Sequence, residues 1–360
     1  MPRPLHSLTR AEIAEICARH FGCEVSAGGF MAGEIAVNVA VEPADGAGRL
    51  VLKGEYPNPA MMPEHADWVC RVQQRAHAAG LPVAGQRPAV EPFAPPGGEP
   101  SGVLALVDID GELAMFRLQE YLPGSVAAGR DAYPDYPAQV GRLAARLADA
   151  LAEAAPEPAP VLHPWAFETT GANVAFACDR IRTLEAAGRV SADYGAALSA
   201  DVALARRAAL AFERRVRPCL PELPRQVVHQ DVNDFNLLVA DGRITGLIDF
   251  GDCRSAPRLA EAAIAGSYTM LGRADPRAAF AAFAAAYQEA AEHPLAPAEA
   301  RLIELSALAR LCLNACTWTA RALTASHGDP QAEYGRARMR RTWPVVRAVA
   351  AAVLAEAEAA

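Results

Sequence analysis

The chain has 360 residues, 52% of them hydrophobic and 21% charged, and a formal net charge of −8. This composition supplies enough apolar surface for one large domain or two smaller ones and excludes a disordered chain. The acidic balance argues against a nucleic-acid partner, which calls for a basic face, but leaves room for a small anionic ligand held by local charge.

Thr9-Arg10-Ala11-Glu12 is a capping-box pattern, and Ile13, Ile16 and Cys17 follow at helical spacing up to Phe21. The period then changes. Ile35, Val37, Val39 and Val41 alternate as a half-buried strand does, Asp45-Gly46-Ala47-Gly48 has turn chemistry, and Leu50 to Lys53 is the returning strand. Met62 to Ala79 reads as a helix. A second hairpin runs from Val103 to Val107, through Asp108-Ile109-Asp110-Gly111, to Leu113 and on to Tyr121. Helix, strands, helix, strands describe a small α+β region built on an antiparallel sheet.

Leu122-Pro123-Gly124-Ser125 interrupts the pattern and marks a connection, which divides the chain into 1–122 and 123–360. Beyond it helical patterns dominate, over 137–154, 170–187, 197–216, 258–271, 276–291, 297–324 and 334–357. The stretch 225–252 interrupts them with short β-like runs around Asp241-Gly242. Glu153 to Pro160, rich in Pro, Ala and Glu, reads as a surface loop.

The eight cysteines form neither a CxxC pair nor a Cys/His zinc spacing. Cys312 and Cys316 read as core positions on a helix, and a reducing compartment is expected. Met1 to Arg10 has no apolar run, and no segment is apolar enough to span a bilayer. The expectation is a soluble cytoplasmic protein, with no membrane and no nucleic acid as partner.

Of the 34 Lys and Arg residues a single one, Lys53, is lysine. A chain that otherwise uses arginine throughout keeps a compact ammonium at one strand position, which suits gripping phosphate oxygens as a point charge. A polar cluster far along the chain suits the same task. It comprises His229-Gln230-Asp231-Val232-Asn233-Asp234-Phe235-Asn236 and Leu247-Ile248-Asp249-Phe250-Gly251-Asp252. Phosphoryl transfer needs a base for the attacking hydroxyl, oxygen ligands for Mg²⁺ and a cation on the remaining phosphate charge. Asp231 fits the first need, Asn236 and Asp249 the second, and Lys53 the third. The expected place for the nucleotide is a cleft between two lobes.

His229-x-Asp231-x-x-x-x-Asn236 and Ile248-Asp249-Phe250-Gly251-Asp252 resemble the catalytic-loop and metal-loop signatures of the aminoglycoside phosphotransferase/choline kinase branch of the protein-kinase-like fold. Arg117-Leu118-Gln119-Glu120-Tyr121-Leu122-Pro123-Gly124 and Asp329-Pro330-Gln331-Ala332-Glu333-Tyr334 with Trp343 are similar to hydroxylysine kinase and its bacterial relatives. The resemblance implies an α+β, two-lobe kinase-like fold with a small antiparallel N-terminal lobe and a mostly helical C-terminal lobe. It implies that Asp231 is the catalytic base, that Asn236 and Asp249 hold Mg²⁺, and that Lys53 contacts the phosphates of ATP or GTP. The backbone at Glu120, Tyr121 and Leu122 would meet the purine. The acceptor would be a small hydroxylated amine or amino acid, with 5-hydroxylysine first and an aminoglycoside, choline or homoserine as alternatives.

The pattern is departed from in places. Gly28, Gly29 and Gly33 supply glycines without a GxGxxG order, and Trp165-Ala166 stands where relatives have Trp-Asp. Glu64 and Asp67 both lie in the helix expected to offer Lys53 a carboxylate. The bland readings are that His229 is a buried loop anchor, Trp318 and Arg310 core residues, and Arg336, Arg338, Arg340 and Arg341 a solvated helix face, while Asp234 is either a solvated turn carboxylate or a contact for a substrate ammonium. A nucleotide-binding pseudokinase is the alternative from a different class.

Overall fold

The computed structural model describes residues 2–31, 36–129, 133–159, 163–190, 197–324 and 330–359. Gly33, Ile35, Pro160 and Asp329 lie outside the described residues. The helices are α1 (Arg10–Phe21), α2 (Pro63–Ala78), α3 (Tyr136–Leu151), α4 (Thr170–Ala186), α5 (Ala197–Arg215), α6 (Leu259–Thr269), α7 (Pro276–Ala290), α8 (Pro297–Ala300), α9 (Ile303–Thr324) and α10 (Pro330–Ala359). The strands are β1 (Val25–Met31), β2 (Val37–Pro43), β3 (Leu50–Glu55), β4 (Ala105–Ile109), β5 (Glu112–Glu120), β6 (Ser125–Val126), β7 (Arg225–Val228), β8 (Leu237–Ala240), β9 (Arg243–Leu247) and β10 (Arg254–Pro257). The fold is α+β, with a five-stranded antiparallel sheet toward the N-terminus and a mostly helical remainder.

Two compact units divide the chain. The first comprises Met1–Ser125, Glu153–Val161 and Asn236–Arg254, and the second Val126–Ala152, Leu162–Phe235 and Ser255–Ala360.

In the first unit the sheet order is β1-β2-β3-β5-β4. The capping box forms as the sequence predicts: Thr9 Oγ1 accepts from the Glu12 N–H at 3.2 Å, and the Thr9 N–H donates to Glu12 Oε2 at 2.7 Å. Arg3, then Thr9, hold the Glu12 carboxyl down at about 2. Helix α1 buries Ile13, Ile16, Cys17 and Phe21 with Val39, Val41, Leu50, Leu52, Phe116 and Leu118. These strand residues alternate, so one face of the sheet is the core and the other carries Lys53, Arg117 and Gln119. The glycines that depart from a GxGxxG order begin in a strand and not in a loop. Gly28 and Gly29 lie in β1 at a register shift between Ala27 and Phe30, and a Cβ at Gly28 would meet the Ala40 carbonyl oxygen at 2.8 Å.

Two hairpins turn on Asp-Gly pairs. Asp110 and Gly111 have φ of 54° and 90°, and Asp241 and Gly242 have φ of 49° and 75°. Positive φ at both central residues matches the twist of the flanking strands.

In the second unit α9 is the axis. It packs on α4, α5, α6 and α10, and nearly all of its residues from Ile303 to Leu323 are buried. Cys312 and Cys316 belong to this core, and Cys316 Sγ lies 3.6 Å from Cys178 Sγ. The expected single helix 297–324 is two, α8 and α9, and α10 begins earlier than 334. No helix among the described residues is long and apolar enough to cross a membrane.

Candidate active site

The polar face of the first unit follows from register. Lys53 on β3 pairs across to Arg117 on β5, and Val51 to Gln119, so their neighbouring side chains share one face. A small recess there is lined by Lys53, Gln73, Arg117, Gln119 and Asp249. Gln73 of α2 donates to the Ala84 carbonyl at 3.0 Å and to Gln119 Oε1 at 3.1 Å. Arg117 is buried and meets the buried Glu55 at 3.4 Å.

Lys53 Nζ donates to Asp249 Oδ1 at 2.8 Å. The lysine's carboxylate is thus Asp249 and neither candidate of α2. Asp67 accepts from Arg71 at 2.5 Å, from the Ser101 N–H at 3.0 Å and from Ser101 Oγ at 2.5 Å, and Glu64 lies half-buried in the first turn of α2.

Asp249 is placed by the β8–β9 hairpin. Leu237 pairs with Leu247, and the Ile248 N–H donates to the Asn236 carbonyl at 2.9 Å. The two strands therefore deliver Asn236 and Asp249 to the same open end. Asp249 takes a left-handed backbone, with φ 63°, which re-aims the chain straight after the strand.

The connector at 120–122 is held from both sides. The Glu120 N–H donates to the Gly85 carbonyl at 2.8 Å, and the Glu120 carboxylate accepts the Gly85 N–H at 3.0 Å. The Tyr121 N–H donates to the Arg49 carbonyl at 3.1 Å, and the Arg49 guanidinium lies 5.2 Å from the Tyr121 ring. Leu122 packs by Gly246, where an added Cβ would meet it at 3.0 Å.

The second unit carries the loop of Asp231. Val227 and Val228 bury β7, and the chain then turns through Gln230 at φ 65°. Three tethers hold the turn. The His229 N–H donates to Glu261 Oε2 at 2.6 Å, the Asp231 N–H to His229 Nδ1 at 3.3 Å, and the Phe167 N–H to Gln230 Oε1 at 3.3 Å. His229 is thus the buried loop anchor that its sequence context predicts. Glu261, on α6, is fully buried. Burial pushes its carboxyl up to about 7 against the opposing pull of the His229 and Gln230 N–H groups, with the Asp231 charge adding to the rise.

Asp231 Oδ1 accepts from Arg310 Nη2 at 3.2 Å. Arg310 lies on α9 with its side chain 2% exposed, against 22% for Asp231. Its Nη1 donates to the Trp165 carbonyl at 3.1 Å, and its guanidinium lies 5.0 Å from the Trp165 ring and 5.9 Å from that of Tyr268. An arginine read as core packing is the cation beside the predicted base.

Two further readings change. Asp234 is no solvated turn carboxylate. It is fully buried and receives Arg341 at 2.5 Å and Arg338 at 3.5 Å. Those arginines belong to the run read as a solvated face. Positions 338 and 341 share one side of α10, and it points inward, whereas Arg336 stays near the surface on Glu333 at 2.9 Å. Arg338 lies 4.1 Å from the Phe235 ring centre, 5.3 Å from Tyr334 and 5.6 Å from Trp318. The available signal was the i, i+3 spacing of 338 and 341; the acidic partner was too distant in sequence to show it.

The chain matches the profile of the phosphotransferase enzyme family (APH) over residues 32–303, and it belongs to that family. It is therefore a phosphotransferase, with the kinase-like fold of that family. Spectinomycin phosphotransferase APH(9)-Ia, solved with ADP and spectinomycin, is similar at a TM-score of 0.62 and 12% identity, covering 98% of this chain and 99% of that one. A microcompartment-associated aminopropanol kinase follows at 0.61 and 16%, covering 95% and 98%. An amicoumacin kinase, solved with AMP-PNP, Ca²⁺ and amicoumacin, is similar at 0.60 and 13%, covering 94% and 93%. At these identities the likeness is one of fold. No curated protein matches the sequence.

Proposed function

We propose that the protein is a small-molecule kinase that moves the γ-phosphoryl group of ATP or GTP to a hydroxyl of a small amine-bearing metabolite. The observation that carries this reading is the set of polar side chains. A lone lysine is held on the aspartate that follows β9, and a second aspartate is held by a buried arginine on a strained, tethered loop.

Asp231 orients the acceptor hydroxyl and takes its proton as the oxygen attacks the γ-phosphorus. The bond from that phosphorus to the bridging oxygen breaks, and the nucleoside diphosphate leaves with the electron pair. Lys53 contacts the donor phosphates and steadies their charge. Asn236 and Asp249 offer one amide and one carboxylate oxygen. Two hard oxygen donors suit Mg²⁺, which keeps waters and takes phosphate oxygens for its remaining positions. Among the described residues no group of three or more His, Cys, Asp or Glu could hold a metal ion by itself, and on this reading phosphate oxygens would join Asn236 and Asp249. When bound, the ion supplies charge neutralisation at the phosphates.

The purine would be read at Glu120 to Leu122. The Glu120 and Tyr121 N–H groups already serve Gly85 and Arg49, which leaves the Leu122 N–H as the donor for the base. The acceptor that best suits this reading is 5-hydroxylysine, carried by the likeness of the 117–124 and tail segments to hydroxylysine kinase. A screen of nucleotide consumption over hydroxylated amino acids and amino alcohols, with ATP and GTP side by side, tests it. Phosphorylated 5-hydroxylysine is expected; nucleotide binding without transfer to any acceptor would sink it.

A further inference from the structure

We propose that Arg338 is a specificity-determining residue that binds a carboxylate of the acceptor. The acceptor is then a hydroxylated amino acid rather than an amino alcohol, a quaternary ammonium alcohol or a polyamine sugar. This inference rests on the kinase reading above and deepens it.

Three observations carry it. The first is an under-used buried cation. The Arg338 side chain is only 10% exposed, yet its contact with Asp234 is long, 3.5 Å, and that carboxylate is better served by Arg341 at 2.5 Å. Its Nε is buried with no hydrogen-bond partner among the described residues. A buried charged N–H left without an acceptor is unfavourable, and a ligand oxygen would satisfy it.

The second is the aromatic setting. Phe235, Tyr334 and Trp318 surround the Arg338 guanidinium, and a second one, from Arg321, lies 4.6 Å from the Trp318 ring. Such a box of rings is what a ligand ammonium would enter. Here the chain's own arginines fill it, and Asp234, the carboxylate beside it, is already paired with two of them. A cationic end of the acceptor finds neither ring face nor counter-charge at this place. The stacked guanidinium instead offers its in-plane N–H edge, whose geometry suits a carboxylate.

The third is connection to the base: the Arg338 guanidinium meets Asp234 and Phe235, three and four positions after Asp231 in the same loop. The Thr342 hydroxyl bonds the Arg338 carbonyl at 2.9 Å and the Asn314 amide oxygen at 3.1 Å. The Asn314 amide donates to the Tyr268 hydroxyl at 3.1 Å, and the Tyr268 ring lies against Arg310, which holds Asp231. On this reading a short acceptor presents its hydroxyl to Asp231 and its carboxylate to Arg338.

The test uses matched pairs that differ by one carboxylate: 5-hydroxylysine against the diamino alcohol lacking it, and homoserine against aminopropanol. Wild-type kcat/KM is expected to favour the carboxylate member of a pair by about 100-fold or more, since a site built to pair a polar group rejects its absence. Arg338→Gln should raise KM for the carboxylate member by about 10–100-fold while kcat, the nucleotide KM and turnover of the carboxylate-free member hold. Arg338→Lys, which keeps charge without the fork, should fall in between, and thermal melting checks that each variant folds. Preference of the wild type for carboxylate-free acceptors, or equal losses on both members, would overturn the inference and leave the kinase reading standing. A raised nucleotide KM in Arg338→Gln would assign the arginine to phosphate and overturn it as well. Calorimetry without nucleotide gives a readout independent of turnover. Binding of the carboxylate ligands that Arg338→Gln abolishes supports the inference, and no binding by the wild type overturns it. The kinase reading fails separately, if no acceptor draws phosphate from either nucleotide.

Discussion

Lys53 and Asp249 are 196 positions apart in sequence and 2.8 Å apart in space, joined by a β-sheet face on one side and a hairpin end on the other. The lysine side chain is 12% exposed and the carboxylate 53%, so the ammonium is sheltered while the oxygen stays open to a ligand. On the role proposed for it, an ammonium held on a half-open carboxylate would need little reorganisation when phosphate oxygens arrive.

Lys53→Arg tests why a chain rich in arginine keeps one lysine. The planar fork cannot replace a point charge against Asp249 and the proposed phosphates, and kcat/KM for nucleotide should fall by roughly 10–100-fold. Steady-state kinetics with varied nucleotide measure it. Unchanged kinetics would show that any cation serves.

Asp249→Asn and Asp231→Asn should separate two roles. The first should raise both the nucleotide KM and the magnesium concentration for half-maximal rate. The second should lower kcat by about 10²–10⁴-fold, the usual worth of a general base, with nucleotide affinity nearly intact. Equilibrium nucleotide titration alongside turnover distinguishes them, and equal turnover of Asp231→Asn and wild type would remove its assigned role.

Asp234→Asn leaves Arg338 and Arg341 on a neutral amide in a buried setting. Removing one partner of a buried ion pair costs about 3–5 kcal/mol, and the urea midpoint should drop accordingly. A midpoint within error of wild type would mean the pair contributes little.

Glu261 gives a pH signature. Burial raises its carboxyl from the ordinary range to about 7. The folded chain therefore holds a proton there that the unfolded chain has lost, so stability falls as pH rises from the unfolded value toward 7 and levels off above it. The full span is on the order of 3 kcal/mol. Glu261→Gln removes the titration, and wild type minus variant stability should decline between about pH 4.5 and 7. Denaturant melts at stepped pH measure it; parallel curves would deny the buried ionisation.

The sequence carried much of this. The capping box at Thr9, the Asp-Gly turns at 110–111 and 241–242 and the helical periods beyond Tyr136 are local signals, so they could be read locally. The hairpin that unites Asn236 with Asp249 turns at Asp241-Gly242, where the short β-like runs were read. What escaped was set by distant partners. Arg310 looks apolar by its neighbours on α9, and only the fold brings Asp231 to it. Arg338 and Arg341 look solvated because their carboxylate, Asp234, lies on another element. The partner of Lys53 escaped for a similar reason, since Asp67 is held by Ser101 and Arg71 while Lys53 meets Asp249.

The partition of the chain into two compact units has an evolutionary corollary. Lys53, Asn236 and Asp249 all belong to the first, and Asp231, Arg310, Arg338 and Arg341 to the second. On the roles proposed, substitutions along α9 and α10 can redirect which alcohol is accepted while the donor-handling groups keep their surroundings. Divergence in diet, as it were, would leave the shared chemistry unharmed, and libraries aimed at new acceptors should be drawn from those two helices.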